Sequence, residues 1–457
     1  MTIALVAKDK GLIASVGQLL TGEGAEPLSV VSVHEILNED QTVRQADLIF
    51  LVSKSQDFLS AGEAVSQIRR KLGKGQELVL CITPPPYKAQ RLQLLSLGAH
   101  EIISPAGSTD EQIAERILGH LILKKRILPY KCGQLLGATS PMREIYKRVE
   151  RYAPLTRSVL IRGETGTGKG LVAQELHEES GRLGEFIHFN STALNSGTIE
   201  AELFGHVKGG HNTAFSDRKG LIEAAQKGTV FIDEIGDFNL ELQAKLLDVV
   251  EYKRVRPVGA TQYKNLDVRF IFATNCDLER LVNEGRFRED LFARMDRLSL
   301  TMPPLRKRKA DIPLLVEHFI NNLNEETEDL NEETERPVTV ETGAVDELFR
   351  KDWRLNVREL SSVVEKAEAD VGDDRVITNF VLSSDDAREI PPGGVIEINP
   401  RTQSWFSLHD EFHEAYFRSL AAISNSIEEA MNHSKVSRSH LFEIFKKYDL
   451  HIGGKPS

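Results

Sequence analysis

The sequence predicts an α/β protein with two doubly wound domains, each built on a parallel sheet, followed by a small all-helical domain. Three observations support this fold class. Residues 1–126 alternate short apolar runs with amphipathic helical patterns. A glycine-rich loop at residues 163–169 lies between an apolar run and a helical run. Beyond a Pro-Pro-Gly-Gly turn, residues 408–457 have helical periodicity.

Length and composition are those of an ordinary folded chain. The 457 residues correspond to about three domains, and 40% of them are hydrophobic and 27% charged. No apolar run approaches the length of a membrane span, and Lys8 and Asp9 interrupt the apolar start, so we expect a cytoplasmic protein without membrane contact. Cys81, Cys132 and Cys276 lie far apart without metal-ligand spacing, which argues against disulfides and zinc.

The first domain, residues 1–126, is predicted to be a small doubly wound unit. Short apolar runs predict strands, and amphipathic patterns predict helices between them. The predicted strands are 3–7, 48–52, 78–82 and 101–103, and the predicted helices are 13–20 and 64–72.

The glycine-rich loop predicts a site for the phosphates of ATP. It consists of Gly163, Glu164, Thr165, Gly166, Thr167, Gly168 and Lys169. The glycines let successive backbone N–H groups point at a triphosphate, the following helix adds its positive N-terminus, and Lys169 reaches the outer phosphates. Gly170 stands where a serine or threonine usually holds Mg²⁺, so the metal must use other ligands.

A second apolar run, residues 229–232, ends in an acidic pair. A buried parallel strand would deliver this pair to the carboxyl edge of its sheet. Asp233 would hold Mg²⁺ directly or through water, and Glu234 would polarise the attacking water. Together with the loop, this pair predicts hydrolysis of ATP.

With these motifs in order, residues 136–382 resemble the AAA+ domain of NtrC-type bacterial enhancer-binding proteins, which activate sigma-54 RNA polymerase. The resemblance implies an α/β ATPase domain at 136–305 and a helical lid at 306–382. Asn190 matches the asparagine that restrains the catalytic glutamate, and Asn275, after Ala273 and Thr274, matches the sensor of the attacking water or outer phosphate. Arg358, in the string NVREL, matches the second sensor arginine.

The string GRFREDLFARM carries the family's arginines that reach into the neighbouring subunit's site, at Arg288 and Arg294. An arginine supplied in trans contributes a factor of about a thousand or more to phosphoryl transfer. Such a head-to-tail contact must close into a ring to avoid a filament. The resemblance therefore implies a homo-oligomer, from a dimer to a hexameric ring.

The element order of the first domain and the string GAHEIISP resemble a response-regulator receiver domain. Val52 stands where a receiver has its phosphorylated aspartate, and Ser104 stands where it has a lysine. The first acidic pair is reduced to Lys8 and Asp9, while Thr83 keeps the switch hydroxyl. We interpret the domain as a receiver fold that has lost phosphorylation and docks a protein or small ligand. The alternative is phosphorylation at another aspartate.

The loop by which family members contact sigma-54 is altered. Members that activate sigma-54 carry GAFTGA, whereas this chain has Gly209, Gly210, His211, Asn212, Thr213 and Ala214. Histidine and asparagine in place of phenylalanine and threonine remove the apolar tip that inserts into a partner. Three interpretations follow: reduced contact with sigma-54, a different target such as another form of polymerase, or a ring that remodels nothing.

The lid also departs from the family. Its Trp-Pro-Gly turn reads Trp353, Arg354, Leu355 here, which removes the two turn-forming residues that precede Arg358. Residues 324–336, NEETEDLNEETER, predict a solvated helix end or loop, and alternatively a partner-binding patch.

Residues 383–407 read as a linker, and residues 408–457 resemble the Fis-like helix-turn-helix that ends this family. Ser437 would cap the recognition helix. Arg438, Ser439 and His440 would reach base edges, and Lys446 and Lys447 would lie toward phosphates of DNA.

Two features oppose DNA binding by this domain. His433, Ser434 and Lys435 replace the usual Leu-Leu-Gly turn, and residues 408–457 carry six Lys and Arg against seven Asp and Glu. The net charge of −11 also gives no global attraction to DNA. Multivalency in a ring compensates for weak single contacts. DNA binding is our interpretation, and a degenerate dimerisation or docking bundle is the alternative.

Two functions therefore compete. In the first, the chain is an ATP-dependent transcriptional regulator of the sigma-54 activator type, with DNA and RNA polymerase holoenzyme as partners. In the second, it is a sigma-54-independent regulator or a nucleotide-controlled scaffolding ATPase that acts through protein docking. The order of domains and the catalytic constellation favour the first.

Overall fold

The computed structural model describes residues 3–7, 10–23, 29–32, 46, 48–53, 58–71, 76–83, 85, 88–107, 109–124, 130–190, 196–207, 218–330, 337–371 and 375–382. The chain divides into two compact units, residues 1–381 and 382–457. Apart from Leu382, the described residues belong to the first unit. Lys8, Asp9, the 209–214 loop, the linker and the predicted helix-turn-helix lie outside the described residues.

The N-terminal domain contains a five-stranded parallel sheet in the order β2-β1-β3-β4-β5. This is one of the two common doubly wound orders. Its elements are β1 (Ile3–Ala7), α1 (Lys10–Gly22), β2 (Ser29–Ser32), β3 (Leu48–Ser53), α2 (Phe58–Lys71), β4 (Glu77–Ile82), α3 (Lys88–Ser96), β5 (Glu101–Ile103) and α4 (Asp110–Leu123). The four predicted strands and two predicted helices are confirmed within a few residues, whereas β2, α3 and α4 were missed.

The second domain contains a five-stranded parallel sheet in the order β16-β8-β15-β12-β9. Apolar clusters on both faces explain why its strands are almost continuously hydrophobic. Its elements are β6 (Tyr130–Cys132), β7 (Leu135–Gly137), α5 (Ser140–Tyr152), β8 (Val159–Arg162), α6 (Lys169–Glu178), β9 (Phe186–Asn190), α7 (Ser196–Phe204), β10 (Gly205–His206), β11 (Arg218–Lys219), α8 (Leu221–Ala224), β12 (Thr229–Asp233), α9 (Leu240–Tyr252), β13 (Arg254–Val255), β14 (Lys264–Asn265), β15 (Arg269–Thr274), α10 (Leu278–Asn283), α11 (Glu289–Met295) and β16 (Ser299–Thr301).

A helical lid follows the second sheet. It opens with 3-10 turns at Leu305–Lys307 and Lys309–Asp311 and continues with α12 (Ile312–Leu330), β17 (Thr339–Val340), α13 (Thr342–Leu348), α14 (Asn356–Ala369) and β18 (Val376–Ile377). Since α12 extends to Leu330, the acidic run begins inside the end of this helix, and residues 331–336 lie outside the described part.

The N-terminal domain packs directly on the lid through α4. Ile117 and Leu121 of α4 share one buried apolar cluster with Ala310 and Leu314 of the lid. The helix comes so close that a Cβ at Gly119 would lie 3.1 Å from the Phe349 ring. No sequence pattern predicts this contact. Within the described part of the chain, no helix is long and apolar enough to cross a membrane.

Candidate nucleotide-binding site

The carboxyl ends of β8, β12 and β9 bring the predicted loop and the predicted polar residues to one edge of the sheet. The loop leaves β8 at Gly163, and in the parallel register Asp233 on β12 lies beside Asn190 on β9. Asn275 follows β15, the strand between β8 and β12. Ligands of open α/β sheets bind at this edge, so the topology places the candidate residues where nucleotide chemistry is possible.

The phosphate loop curls over the side chain of its own lysine. Gly168 precedes α6 in a left-handed conformation with a φ of 101°, and Lys169 begins the helix. The buried Lys169 ammonium donates to the carbonyl of Gly163 at 3.0 Å and to Glu234 Oε1 at 3.2 Å. The loop lysine and the predicted catalytic carboxylate are therefore in direct contact.

Glu234 is held in a strained backbone conformation. Its φ of 54° is left-handed, which is uncommon for a residue other than glycine. Its two carboxylate oxygens point to different partners: Oε1 accepts from Lys169, and Oε2 accepts from the backbone N–H of Asn275 at 2.9 Å. Strain of this kind persists where the surroundings fix it, and such positions cluster at active sites.

Asp233 provides carboxylate oxygens of the kind that Mg²⁺ prefers. Burial alone would raise the pKa of Asp233, but a nearby His188, 3.8 Å away, and the charge of Lys169 lower it below its ordinary value. The group is therefore ionised at neutral pH. A Cβ at Gly170 would lie 3.8 Å from the ring of Phe231, an ordinary contact, so the missing hydroxyl is a chemical change and does not reflect a lack of space.

The predicted sensor asparagine contacts the loop. The side-chain amide of Asn275 donates to Thr165 Oγ1 at 3.1 Å, while its backbone N–H binds Glu234. Asn190, the exposed last residue of β9, lies next to Asp233 in the register. Its predicted restraint of Glu234 stays a prediction.

The lid reaches the loop at the position predicted for Arg358. A Cβ at Gly166, whose φ is 77°, would overlap the carbonyl oxygen of Leu355 and lie 3.0 Å from the Cβ of Arg358. Only glycine allows both this conformation and this close approach. The backbone N–H of Val357 donates to the Gly166 carbonyl at 3.0 Å. Arg358 therefore lies against the loop despite the altered turn.

Left-handed residues flank the two positions at which this turn lacks the family's proline and glycine. Trp353 has a φ of 54° and Asn356 a φ of 56°. The Trp353 ring is fully buried, and its Nε1 donates to the carbonyl of Leu348 at 2.9 Å. Packing of this ring stabilises a turn that the local sequence does not favour.

The two arginines predicted to act in trans lie on the surface of the protomer. Arg288 forms a bidentate pair with Asp290, with its Nη2 at 2.7 Å from Oδ2. Arg294 pairs with Glu251 at 2.5 Å. Both side chains are about two-fifths exposed, 41% and 40%. This exposure is compatible with contact to a second subunit, and their role stays a prediction.

Two residues outside the predicted site, Arg306 and Asn356, join the lid to the loop. Arg306 holds both carboxylate oxygens of Glu164, at 2.7 and 2.6 Å. Asn356 donates to Glu164 Oε2 at 3.2 Å and to the Thr165 carbonyl at 3.0 Å. Its signal was available, because asparagine is enriched among left-handed residues other than glycine, and Asn356 is the first residue of α14. The hydrogen bond from Arg306 is the main cause that lowers the pKa of Glu164.

Two family models match the chain around this site. Residues 135–301 match the sigma-54 interaction domain, and residues 306–389 match the AAA+ ATPase lid domain. These ranges contain the loop, the acidic pair, Asn275 and Arg358.

Curated relatives are regulators of transcription. The chain is 34% identical over 367 residues to the anaerobic nitric oxide reductase transcription regulator NorR of Salmonella newport, covering 77% of this chain and 71% of that protein. It is 34% identical over 365 residues to the Nif-specific regulatory protein of Herbaspirillum seropedicae, covering 77% of this chain and 64% of the relative. It is 38% identical over 288 residues to the regulatory protein AtoC of Escherichia coli, covering 60% and 61%. The chain thus spans less than two thirds of the length of several relatives.

A solved structure of similar fold is NtrX from Brucella abortus in complex with ATP. It matches with a TM-score of 0.52 and 26% identity over 98% of this chain and 99% of that one. The complex of the same protein with ADP matches with a TM-score of 0.51 and 25% identity, over 98% of this chain and 100% of that one.

Proposed function

We propose, because the chain belongs to the family of sigma-54-dependent transcriptional regulators, that it hydrolyses ATP in a ring and thereby remodels RNA polymerase at promoters. One observation carries the ATPase part of this proposal. Glu234 lies in hydrogen-bond contact with both the loop lysine and the backbone of Asn275, at the carboxyl edge of the parallel sheet. This contact supports Glu234 as the base, Lys169 as the phosphate-binding group and Asn275 as the sensor.

Each of these groups has a defined task in phosphoryl transfer. The N–H groups of the loop and the N-terminus of α6 bind the phosphates, and the Lys169 ammonium neutralises charge on the outer ones. Glu234 accepts the proton of the attacking water, and the Asn275 backbone orients that carboxylate. Asp233 would hold Mg²⁺, which neutralises charge on the phosphate oxygens when it is bound.

The proposed output of the ring involves a neighbouring subunit, DNA and RNA polymerase. Arg288 and Arg294 would complete the site of the neighbouring subunit, and residues 408–457 would hold DNA. RNA polymerase with sigma-54 is the proposed target, and the cytoplasm is the proposed location. The N-terminal domain would receive a signal without phosphorylation at Val52, since valine has no acceptor oxygen.

The ATPase proposal is tested by turnover of Glu234→Gln. This change keeps the shape of the side chain and removes the base, so we expect turnover to fall by about a hundredfold or more, with nucleotide binding retained. Glu241→Gln is the matched control, because Glu241 is exposed at the start of α9. Turnover in Glu234→Gln equal to that of the control would contradict the assignment.

A second output is favoured by the sequence of the 209–214 loop, which lacks the family's phenylalanine and its following threonine. In that case the chain is a sigma-54-independent regulator or a scaffolding ATPase. Transcription with purified polymerase carrying either sigma-54 or another sigma factor separates these outputs. ATP-dependent open complexes only with sigma-54 would support the first function, and ATP turnover without any effect on either polymerase would support scaffolding.

A further inference from the structure

We propose that Asn356 is a positioning residue of the nucleotide site, which holds the lid on the phosphate loop and sets the position of Thr165. This inference rests on the proposed binding of ATP at the loop. It adds a connection from the lid to the catalytic glutamate that does not run through Arg358.

The side chain of Asn356 joins three segments of the chain. It is fully buried, and its Oδ1 accepts from the backbone N–H of Leu305 at 2.7 Å. Its Nδ2 donates to the Thr165 carbonyl at 3.0 Å and to Glu164 Oε2 at 3.2 Å. One planar amide thus ties the first turn of the lid to the phosphate loop. An acid of the same shape would supply the acceptor but no donor.

The backbone of Asn356 explains why the amide points at the loop. Its φ of 56° is left-handed, and its N–H donates to the Trp353 carbonyl at 2.9 Å. The buried Trp353 ring, whose Nε1 donates to the Leu348 carbonyl, stabilises this turn. Burial and the turn together leave the amide a single orientation, which is what a positioning role requires.

Thr165 connects the lid to the predicted catalytic residues through hydrogen bonds. Its carbonyl accepts from Asn356, while its hydroxyl accepts from the Asn275 amide at 3.1 Å. The Asn275 backbone then donates to Glu234 Oε2. Two asparagines, one from the lid and one from the sheet, therefore hold the same threonine. A displaced lid would release the loop from one side of this pair.

The test uses an exchange of charge between Asn356 and Glu164. Asn356→Asp keeps the acceptor for Leu305 but turns an oxygen toward the Glu164 carboxylate and the Thr165 carbonyl. We expect the Kd of a fluorescent ATP analogue, measured at equilibrium with the full chain, to rise about tenfold, as for the loss of a hydrogen bond to a charged group. Adding Glu164→Gln supplies an amide donor to the new aspartate but leaves an oxygen facing the Thr165 carbonyl, so we expect it to recover only part of the lost affinity.

Two variants serve as controls. Asn321→Asp makes the same change at an exposed position of α12 and should bind like the wild type. Asn356→Gly keeps the left-handed backbone but removes the side-chain amide. This variant tests the proposal if the aspartate variant fails to fold. We expect it to raise the Kd about fivefold to tenfold.

The outcomes separate the inference from the function on which it rests. Wild-type affinity in both Asn356→Asp and Asn356→Gly overturns the positioning role. If the wild type binds no more tightly than Lys169→Ala, the nucleotide site itself is refuted. Weakened binding in folded Asn356 variants, with partial recovery on adding Glu164→Gln, supports Asn356, because a residue with a merely structural role would lower the free energy of unfolding and leave the Kd of the folded chain unchanged.

Discussion

The lid presents two different contacts, one to the phosphate loop and one to the N-terminal domain. At the loop, the charged pair Arg306–Glu164 is 40% and 42% exposed. At the N-terminal domain, the pair Arg116–Asp346 is only 2% and 6% exposed, with 2.6 Å between Nε and Oδ1. The Arg116 guanidinium also lies over the Phe349 ring, 5.1 Å from its centroid.

This difference in exposure indicates that the two ion pairs contribute unequally to the contacts of the lid. Exposed ion pairs contribute little and are screened by salt, so the Arg306–Glu164 pair by itself adds little to the contact between the lid and the loop. A buried pair that loses one partner leaves an uncompensated charge, so the N-terminal domain is joined firmly to the lid. The N-terminal domain is therefore joined to the lid through a buried charged pair, whereas the ion pair between the lid and the loop is exposed to solvent.

The largest expected effect comes from breaking the buried pair. Asp346→Ala leaves the Arg116 charge buried and removes the acceptor of the Ser104 backbone N–H, 3.1 Å away. We expect the free energy of unfolding to fall by about 3–5 kcal/mol. Urea unfolding followed by circular dichroism measures this loss.

A double variant sharpens that result. Arg116→Met together with Asp346→Ala removes the unpaired charge as well, and we expect it to recover part of the stability lost in the single variant. If the free energy of unfolding of Asp346→Ala fell by less than about 1 kcal/mol, the buried pair would contribute no more than an exposed pair. That result would contradict the proposed difference between the two contacts of the lid.

A second, smaller effect is a pH dependence at the same face of the lid. Burial raises the pKa of Glu115 on α4 from its ordinary value of 4.5 to about 7, against the opposing charge and backbone hydrogen bond of Lys309. The folded state therefore binds more protons than the unfolded state between these values. Glu115 therefore lowers the free energy of unfolding progressively as pH rises from about 4.5 to about 7, and its contribution changes no further above that range.

Glu115→Gln removes this dependence. We expect the variant to be more stable than the wild type at pH 8, by about 1–3 kcal/mol, and nearly equal to it at pH 4.5. Thermal unfolding across this pH range measures the difference. Glu111→Gln is the matched control, since Glu111 is exposed one turn earlier in α4. An equal gain at both pH values would show that burial of the Glu115 charge is not the cause.

The phosphate loop and the acidic pair were predictable because their chemistry requires particular residues at close spacing. Gly166 must be glycine where Leu355 approaches, and Glu234 directly follows an apolar strand. The contact between Arg116 and Asp346 was not predictable, since the two residues lie 230 positions apart. Its partners are ordinary charged residues of amphipathic helices, and only tertiary packing buries them.

Asn356 stands between these cases. Its position at the start of α14 is visible in the sequence, but its hydrogen bonds depend on the turn at Trp353. The local residues Trp353, Arg354 and Leu355 do not favour a turn, so propensity alone argued against the observed placement of Arg358. Burial of one large ring overrode that preference.

The smallest expected effect is at the loop face of the lid, in Arg306→Gln. This change removes an exposed pair and leaves Glu164 with the hydrogen bond from Asn356 at 3.2 Å. We therefore expect the free energy of unfolding to fall by no more than about 1 kcal/mol, with the difference shrinking further in high salt. Urea unfolding of Arg306→Gln and of Asp346→Ala, each at low and at high salt, measures the two losses in free energy of unfolding under the same conditions. A salt-independent loss as large as that of Asp346→Ala would mean that the exposed Arg306–Glu164 pair stabilises the lid as strongly as the buried pair does, against the difference in exposure between the two contacts.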